Sequence, residues 1–343
     1  MRLKRTISTF TATIFFVLGT ATVFADSQYV DKDKVYSSEG DKIIYISSDD
    51  FLYNFSGEVP GVTICGYIGD ETKLVIPDEI NGRAVAAIDE NTLAGNEQIS
   101  TLTIPAGITA IGAGSFNDCK NLESITFSSG AKILENVFCG CSKLKYVFFP
   151  YGISEINDSF KNCTSLNSVK FSRSVSKLGD GSFNGCISLN DIKWSTGLSY
   201  LGDVFDGCNA LSTIHVPKGI VIIDSAFDNC IHAEILELPT SLLYINSGFN
   251  GCTSLRSVNI PEDLVYIGNA FNGCNSLKGI SLSSKVELGE GAFADCPDVS
   301  IKQGISTSTK GAITIVSILL AVCIGYTIWK SIKKQDTEKI TEK

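Results

Sequence analysis

Histidine, tryptophan and methionine are almost missing from this 343-residue chain, which holds two, two and one of them. Two histidines, His215 and His232, cannot supply a repeated imidazole ligand set, so no metal site is expected. The sequence also lacks a Gly-x-Ser-x-Gly elbow, a His-Glu-x-x-His pair and a phosphate-cradling glycine loop before a helix. Catalysis needs unlike residues converging at one place, and no such constellation interrupts the chain. Neither an enzymatic activity nor a cofactor is therefore expected. Positive charge is scarce where it would matter for nucleic acid. The net charge is −9, but the opening segment Met1–Ala25 carries +3 and the closing segment Lys330–Lys343 carries +2, which leaves −14 between them. A body this acidic has no clustered basic surface to offer a phosphate backbone.

Long apolar runs are confined to the two ends. Arg2, Lys4 and Arg5 precede the apolar run FFVLGTATVF, and Val23-Phe24-Ala25 gives a small-x-small exit before Asp26. This pattern predicts a secretory signal peptide over residues 1–25, with a retained N-terminal anchor as the alternative. From Ala312 to Trp329 the chain runs without a single charge, and Lys330, Lys333 and Lys334 follow at once. As a helix, that run spans about the hydrocarbon thickness of a bilayer. The lysines predict a cytoplasmic tail over 330–343 and a body outside. A buried core helix is the competing reading. Residues 303–311 read as a polar stalk whose reach is at most about 30 Å, so the last part of the body is expected near the membrane.

What the sequence has in abundance is one repeated phrase. FNGC occurs at Phe183–Cys186, Phe249–Cys252 and Phe271–Cys274, with FDGC at Phe205–Cys208. Nine cysteines, Cys119, Cys141, Cys163, Cys186, Cys208, Cys230, Cys252, Cys274 and Cys296, recur at a constant interval of 22, except for one of 23. A phenylalanine stands at the third position before each: Phe116, Phe138, Phe160, Phe183, Phe205, Phe227, Phe249, Phe271 and Phe293. Leucine follows three after the cysteine in seven of the nine, and apolar residues return at +6, +8, +12 and +15. The alternation around +6 to +8 predicts a short strand. A proline often ends it, as at Pro150, Pro217 and Pro239. The Phe and Cys, spaced i and i+3, would share one face of a single helical turn. Such a unit cannot bury its apolar face alone, whereas stacked copies can, so the repeats predict a solenoid.

Phe then fills the core between coils, and Cys packs beside it as a small hydrophobe. Coils about 4.8 Å apart would also bring neighbouring cysteines within reach of a disulfide, a chemistry that secretion favours. The odd count of nine and Asn96 in the same slot of an earlier unit favour thiols. A metal ladder is the third reading.

The unit CTSLRSVNIPEDLVYIGNAFNGCNSL and the opening LVIPDEINGRAVAAI resemble the BspA-like (Treponema pallidum type) leucine-rich-repeat surface proteins over residues 70 to 302. The resemblance implies a leucine-rich-repeat solenoid of 22- to 23-residue coils, with a parallel sheet on one face and short helical or irregular returns on the other. It departs from ordinary leucine-rich repeats eleven after the cysteine, where Gly152, Ser174, Gly219 and Asp263 stand. It further implies a cell-surface protein that adheres to a protein or glycan on another cell or in a matrix. A structural spacer without a specific ligand is the alternative. Residues 26–69 complete the organisation as a polar leader and an N-terminal hairpin cap, FLYNFSGEVPGVTICGYIG.

A binder should depart from blandness on the outward row of its strands, at +5 and +7. Most such residues are small and polar, as are Ser124, Thr126, Ser257 and Asn259. One block differs: Tyr146 and Phe148 share a strand, Tyr151 follows, and the next strands offer Lys170, Lys193 and His215. These six are the candidate ligand-binding residues.

Overall fold

The computed structural model describes residues 43–303 apart from 48, 56–60 and 129–130, and before them only the strands Phe16–Leu18, Ala21–Val23 and Lys34–Tyr36. The expected membrane segment and tail lie outside the described residues, as does the expected signal peptide apart from those first two strands. Among the described residues no helix is long and apolar enough to cross a membrane.

The repeats stack as a parallel β-solenoid. Each coil contributes a strand at +5 to +8, from Lys73–Val75, Thr101–Ile104 and Ser124–Phe127 through Ser257–Asn259 to Gly279–Leu282 and Ser300–Gln303. In the strand Tyr146–Phe149 the burial alternates exposed, buried, exposed, buried. Registers such as Val147 to Val169 and Phe149 to Phe171 keep identical slots side by side. A second short strand follows in most coils, as in Glu155–Asn157, Lys177–Leu178, Tyr244–Ile245 and Tyr266–Ile267, and builds a second parallel sheet in three runs, broken between Ala110–Ile111 and Ile133–Glu135 and between Lys177–Leu178 and Tyr200–Leu201. Its inward member is the apolar residue at +15, for example Ile156 or Ile245, both fully buried.

The N-terminal end of this second sheet is closed by antiparallel strands. Val62–Tyr67 pairs in parallel with Arg83–Ile88 on one side and antiparallel with Phe51–Asn54 on the other, and Ile43–Ile46 lies beyond. At the other end Ser300–Gln303 is exposed along its length. Gln303, placed in the stalk by sequence, ends that strand.

The returns take the irregular form of the two expected. Among the described residues there is no helix. Phe and Cys are joined by a single turn bond, as in Cys163 N to Phe160 O at 3.2 Å, and a second turn follows with Leu166 N to Cys163 O at 3.0 Å. The residue before each cysteine stops any helix, because its φ lies between 53° and 74° in all nine. That is left-handed backbone, which glycine, asparagine and aspartate tolerate best. The slot accordingly holds Gly in five units and Asn or Asp in the other four.

All four letters of the phrase thus have a physical reason. The phenylalanines form one continuous stack, with successive centroids 5.2 to 5.8 Å apart and planes within 16°. The next residue bridges coils where it is Asn or Asp: the amides of Asp206 and Asn272 donate to Asn184 Oδ1 at 3.0 Å and Asn250 Oδ1 at 3.1 Å. Glycine gives the left-handed turn. Each cysteine thiol then donates to the carbonyl of the phenylalanine one coil back, as in Cys163 to Phe138 at 3.3 Å and Cys274 to Phe249 at 3.1 Å. The first, Cys119, donates to Leu93, which holds the Phe slot of the earlier unit. No described cysteine is in a disulfide. Burial pushes the thiols of Cys186 and Cys230 up to about 12, which keeps the proton needed for that donation.

Candidate functional site

The core constrains every inward slot, so any recognition must come from residues outside it. On the first sheet, Tyr146 pairs across with Ser168 and that in turn with Asp191, while Phe148 pairs with Lys170 and Lys170 with Lys193. Three strands therefore carry two parallel outward rows about 4.8 Å apart per step. Tyr146, Phe148 and Tyr151 are 55%, 48% and 67% exposed. Among the described residues the ring of Phe148 is left half open, with Lys170 Nζ over it at 5.1 Å from the centroid. Arg173 Cζ stands 5.7 Å from the Tyr151 ring. Exposed contacts of this kind contribute about 0.5–1 kcal/mol each, enough to orient the long side chains but not to hide the rings.

Lys193 closes on Asp191 at 2.8 Å, and Ser168 Oγ donates to the same carboxylate at 3.1 Å. The Lys193 ammonium, with Ser168 assisting, holds the Asp191 carboxyl below its ordinary range. Five of the six predicted residues lie on neighbouring coils in this way. His215 does not join them. It stands on the strand Thr213–His215, which is not paired to Asp191–Lys193, and its Nδ1 instead meets Glu237 Oε2 at 2.8 Å. Beside it an open groove of about 660 Å³ is lined by His215, Ile235, Glu237, Pro239 and Asn259.

Two features escaped the sequence reading. Arg173 lies one repeat period after Tyr151, the same offset that places Lys170 beside Phe148, so the period itself pointed to it. The outward side of the second sheet also changes character along the chain. Its partly exposed residues are Ser154, Glu155 and Lys177 in the earlier coils, then Val221 with Ile222, Leu243 with Tyr244 and Val265 with Tyr266. Tyr244 and Tyr266 stack at 4.6 Å.

Two parallel sheets, one phenylalanine stack and a row of decorated strands define a repeat scaffold with broad outward faces. The profile of the BspA type leucine rich repeat region, in six copies, matches residues 72–190, 132–247 and 202–310. The chain belongs to this family. A leucine-rich repeat protein from Bacteroides ovatus is similar at 27% identity and a TM-score of 0.61, over 75% of this chain and 70% of that one. The Treponema pallidum leucine rich repeat protein matches at 23% identity and a TM-score of 0.48, over 61% of this chain and 90% of its own. A leucine rich cell surface protein from Faecalibacterium prausnitzii matches at 21% identity and a TM-score of 0.34, over 79% and 97%. Among curated proteins none matches the chain.

Proposed function

We propose that this chain is a non-catalytic binding protein displayed at a cell surface, and that it engages a protein partner through the outward face of its first sheet. The observation that carries this reading is the trio Tyr146, Phe148 and Tyr151, exposed together with Lys170 and Arg173 over two of the rings and Lys193 two strands on from Phe148. Tyrosine, phenylalanine and arginine are the residue types that anchor interfaces, and most of the surrounding outward positions are Ser, Thr or Asn. Three coils span only about 10 Å, less than a standard interface of about 800 Å² per partner requires. The partner therefore also covers flanking strands, where the polar row supplies a rim. The N-terminal leader and the apolar run Ala312–Trp329 support display outside a membrane.

Comparative capture with the wild-type chain and the Tyr146→Ser/Phe148→Ser chain tests the binding claim. A partner retained by the first and lost by the second, with circular dichroism unchanged, is the expected result. Capture that is identical for both chains would overturn this patch as the binding site, and no capture by either would leave the solenoid as a spacer. Protease added to intact cells is expected to remove the repeats and spare the tail, and protection of the repeats would refute surface display.

A further inference from the structure

The first sheet is continuous from Lys73–Val75 to Asp191–Lys193, resumes at Thr213–His215 with no strand pairing between those two, and is interrupted once more between Ser257–Asn259 and Gly279–Leu282. On either side of this gap the same two coils remain joined. Phe183 N donates to Val204 O at 2.9 Å and Gly185 N to Asp206 O at 2.8 Å, while Tyr200 and Leu201 pair with Ile222 and Ile223. The opening is therefore a window in one wall, not a break in the solenoid. Two residues coincide only here. Trp194 fills the inward +8 slot and packs its indole on Phe171 and Phe205, at 6.4 and 5.5 Å, while the next coil offers the much smaller Val216. Pro217 lacks the amide that closes this end of the ladder where the slot is serine, as Ser128 N does to Ile104 O at 2.8 Å and Ser172 N to Phe149 O at 3.2 Å; Pro150, Pro239 and Pro261 lack it too on strands that still pair, so the proline opens the wall only in combination with Trp194.

Behind the window lies a cleft of about 210 Å³ that reaches the core ring of Phe227, with Ile192, Trp194 and Ile214 as apolar walls and Asp191 and Thr213 at the rim. In the register of the other strands, the amides of Thr213 and His215 would meet the carbonyls of Asn190 and Ile192. The two strands form no pairing here. Unpaired main-chain donors face unpaired main-chain acceptors across an apolar floor.

We propose that this window is a docking slot for an extended peptide segment of a protein partner. The peptide bonds its main chain to the free edge at Thr213 and His215, in the manner of strand addition, and sends one aliphatic side chain toward Ile192 and Phe227. Alternating donors and acceptors at main-chain spacing match an extended polypeptide. The cleft has the volume of about seven waters, which suits one side chain and its backbone and excludes a helix. Lys193 stands between Ile192 and Trp194, so the slot rests on the reading of this face as the binding face and extends the aromatic patch toward His215.

Hydrogen exchange on the full chain gives the first test. The Thr213 and His215 amides are expected to exchange at least tenfold faster than their homologues Ile235 and Glu237; equal protection would mean a closed sheet and overturn the proposal. The second test uses fluorescein-labelled, capped nine-residue peptides with Thr, Ser, Lys or Glu alternating with Leu, Ile, Val or Phe. Binding by anisotropy should slow exchange at Thr213 and His215, and backbone N-methylation of the peptide or the Trp194→Leu/Pro217→Ser chain should weaken it at least tenfold. No binding by any peptide, binding that leaves those amides unprotected, or protection by N-acetylglucosamine oligomers alone would overturn it. Peptide binding by the Ser124→Ala chain, altered at a bland outward position, is expected to be unchanged. The slot can thus fail while partner capture still depends on Tyr146, and the patch can fail while the slot still binds.

Discussion

The coils before Trp194 and those after Thr213 share one backbone and one phenylalanine stack, yet they are packed and decorated differently. In the earlier half a second inward aromatic column, Phe127, Phe149 and Phe171, stacks at 6.2 and 5.3 Å and meets the main stack edge-on. In the later half the same slot is aliphatic, with Val216, Leu238, Ile260 and Leu282. Outward, the aromatic residues of the earlier half sit on the first sheet, whereas those of the later half sit on the second. The core slots tolerate this exchange because either column fills the interior. The outward slots are free of that constraint, so their departures from Ser, Thr and Asn are where binding information resides.

The largest effect should separate the two cores. Phe160 touches Phe138, Phe149 and Phe183, whereas the ring contacts of Phe249 are Phe227 and Phe271 alone. Phe160→Ala is expected to cost about 5 kcal/mol and Phe249→Ala about 3 kcal/mol, measured by urea unfolding, with exchange rising first in adjacent coils. Equal losses would mean that the second column adds nothing.

Next comes the cysteine column, which spans both halves. Cys163→Ala should cost about 2 kcal/mol through the lost thiol volume and the orphaned Phe138 carbonyl. In the native chain at pH 8 iodoacetamide should label the partly exposed Cys65 and Cys139 well before the nine buried thiols. Rapid labelling of the buried set would contradict the hydrogen-bonded thiol ladder.

A smaller effect belongs to one carboxyl of the later half. Burial, with Asp206 and Asp203 nearby, raises the carboxyl of Asp228 to about 6, even though it accepts the Asn250 amide at 2.9 Å. The folded state therefore favours the protonated form. Stability from this group is full below the unfolded value near 4 and is lost as pH rises from about 4 to 6. Asp228→Asn keeps the acceptor without the charge. It should stabilise the chain by about 1 kcal/mol at pH 7.5 after allowance for partial exposure, and the gain should vanish near pH 4. A gain that persists at pH 4 would assign the effect to something other than ionisation. Least of all should Tyr146→Ser/Phe148→Ser change stability, by about 0.5 kcal/mol or less, since both side chains are solvated. A large loss would show that the exposed patch supports the fold.

The repeat, its period, the inward slots and the outward row at Tyr146 and Phe148 were all legible in the sequence. Each coil meets only its neighbours, so periodicity along the chain becomes adjacency in space. The i, i+3 spacing of Phe and Cys suggested a helical turn, which the left-handed residue between them forbids. The restriction of that slot to Gly, Asn and Asp was the signal. Only the folded chain decided that cysteine donates to the carbonyl one coil back, that asparagine receives the amide one coil on, and that Arg173 stands over Tyr151. These contacts cross between coils and depend on their relative offset. Tertiary packing alone left the window at Trp194 unpaired and set His215 apart, because strand pairing depends on how neighbouring coils seat against each other.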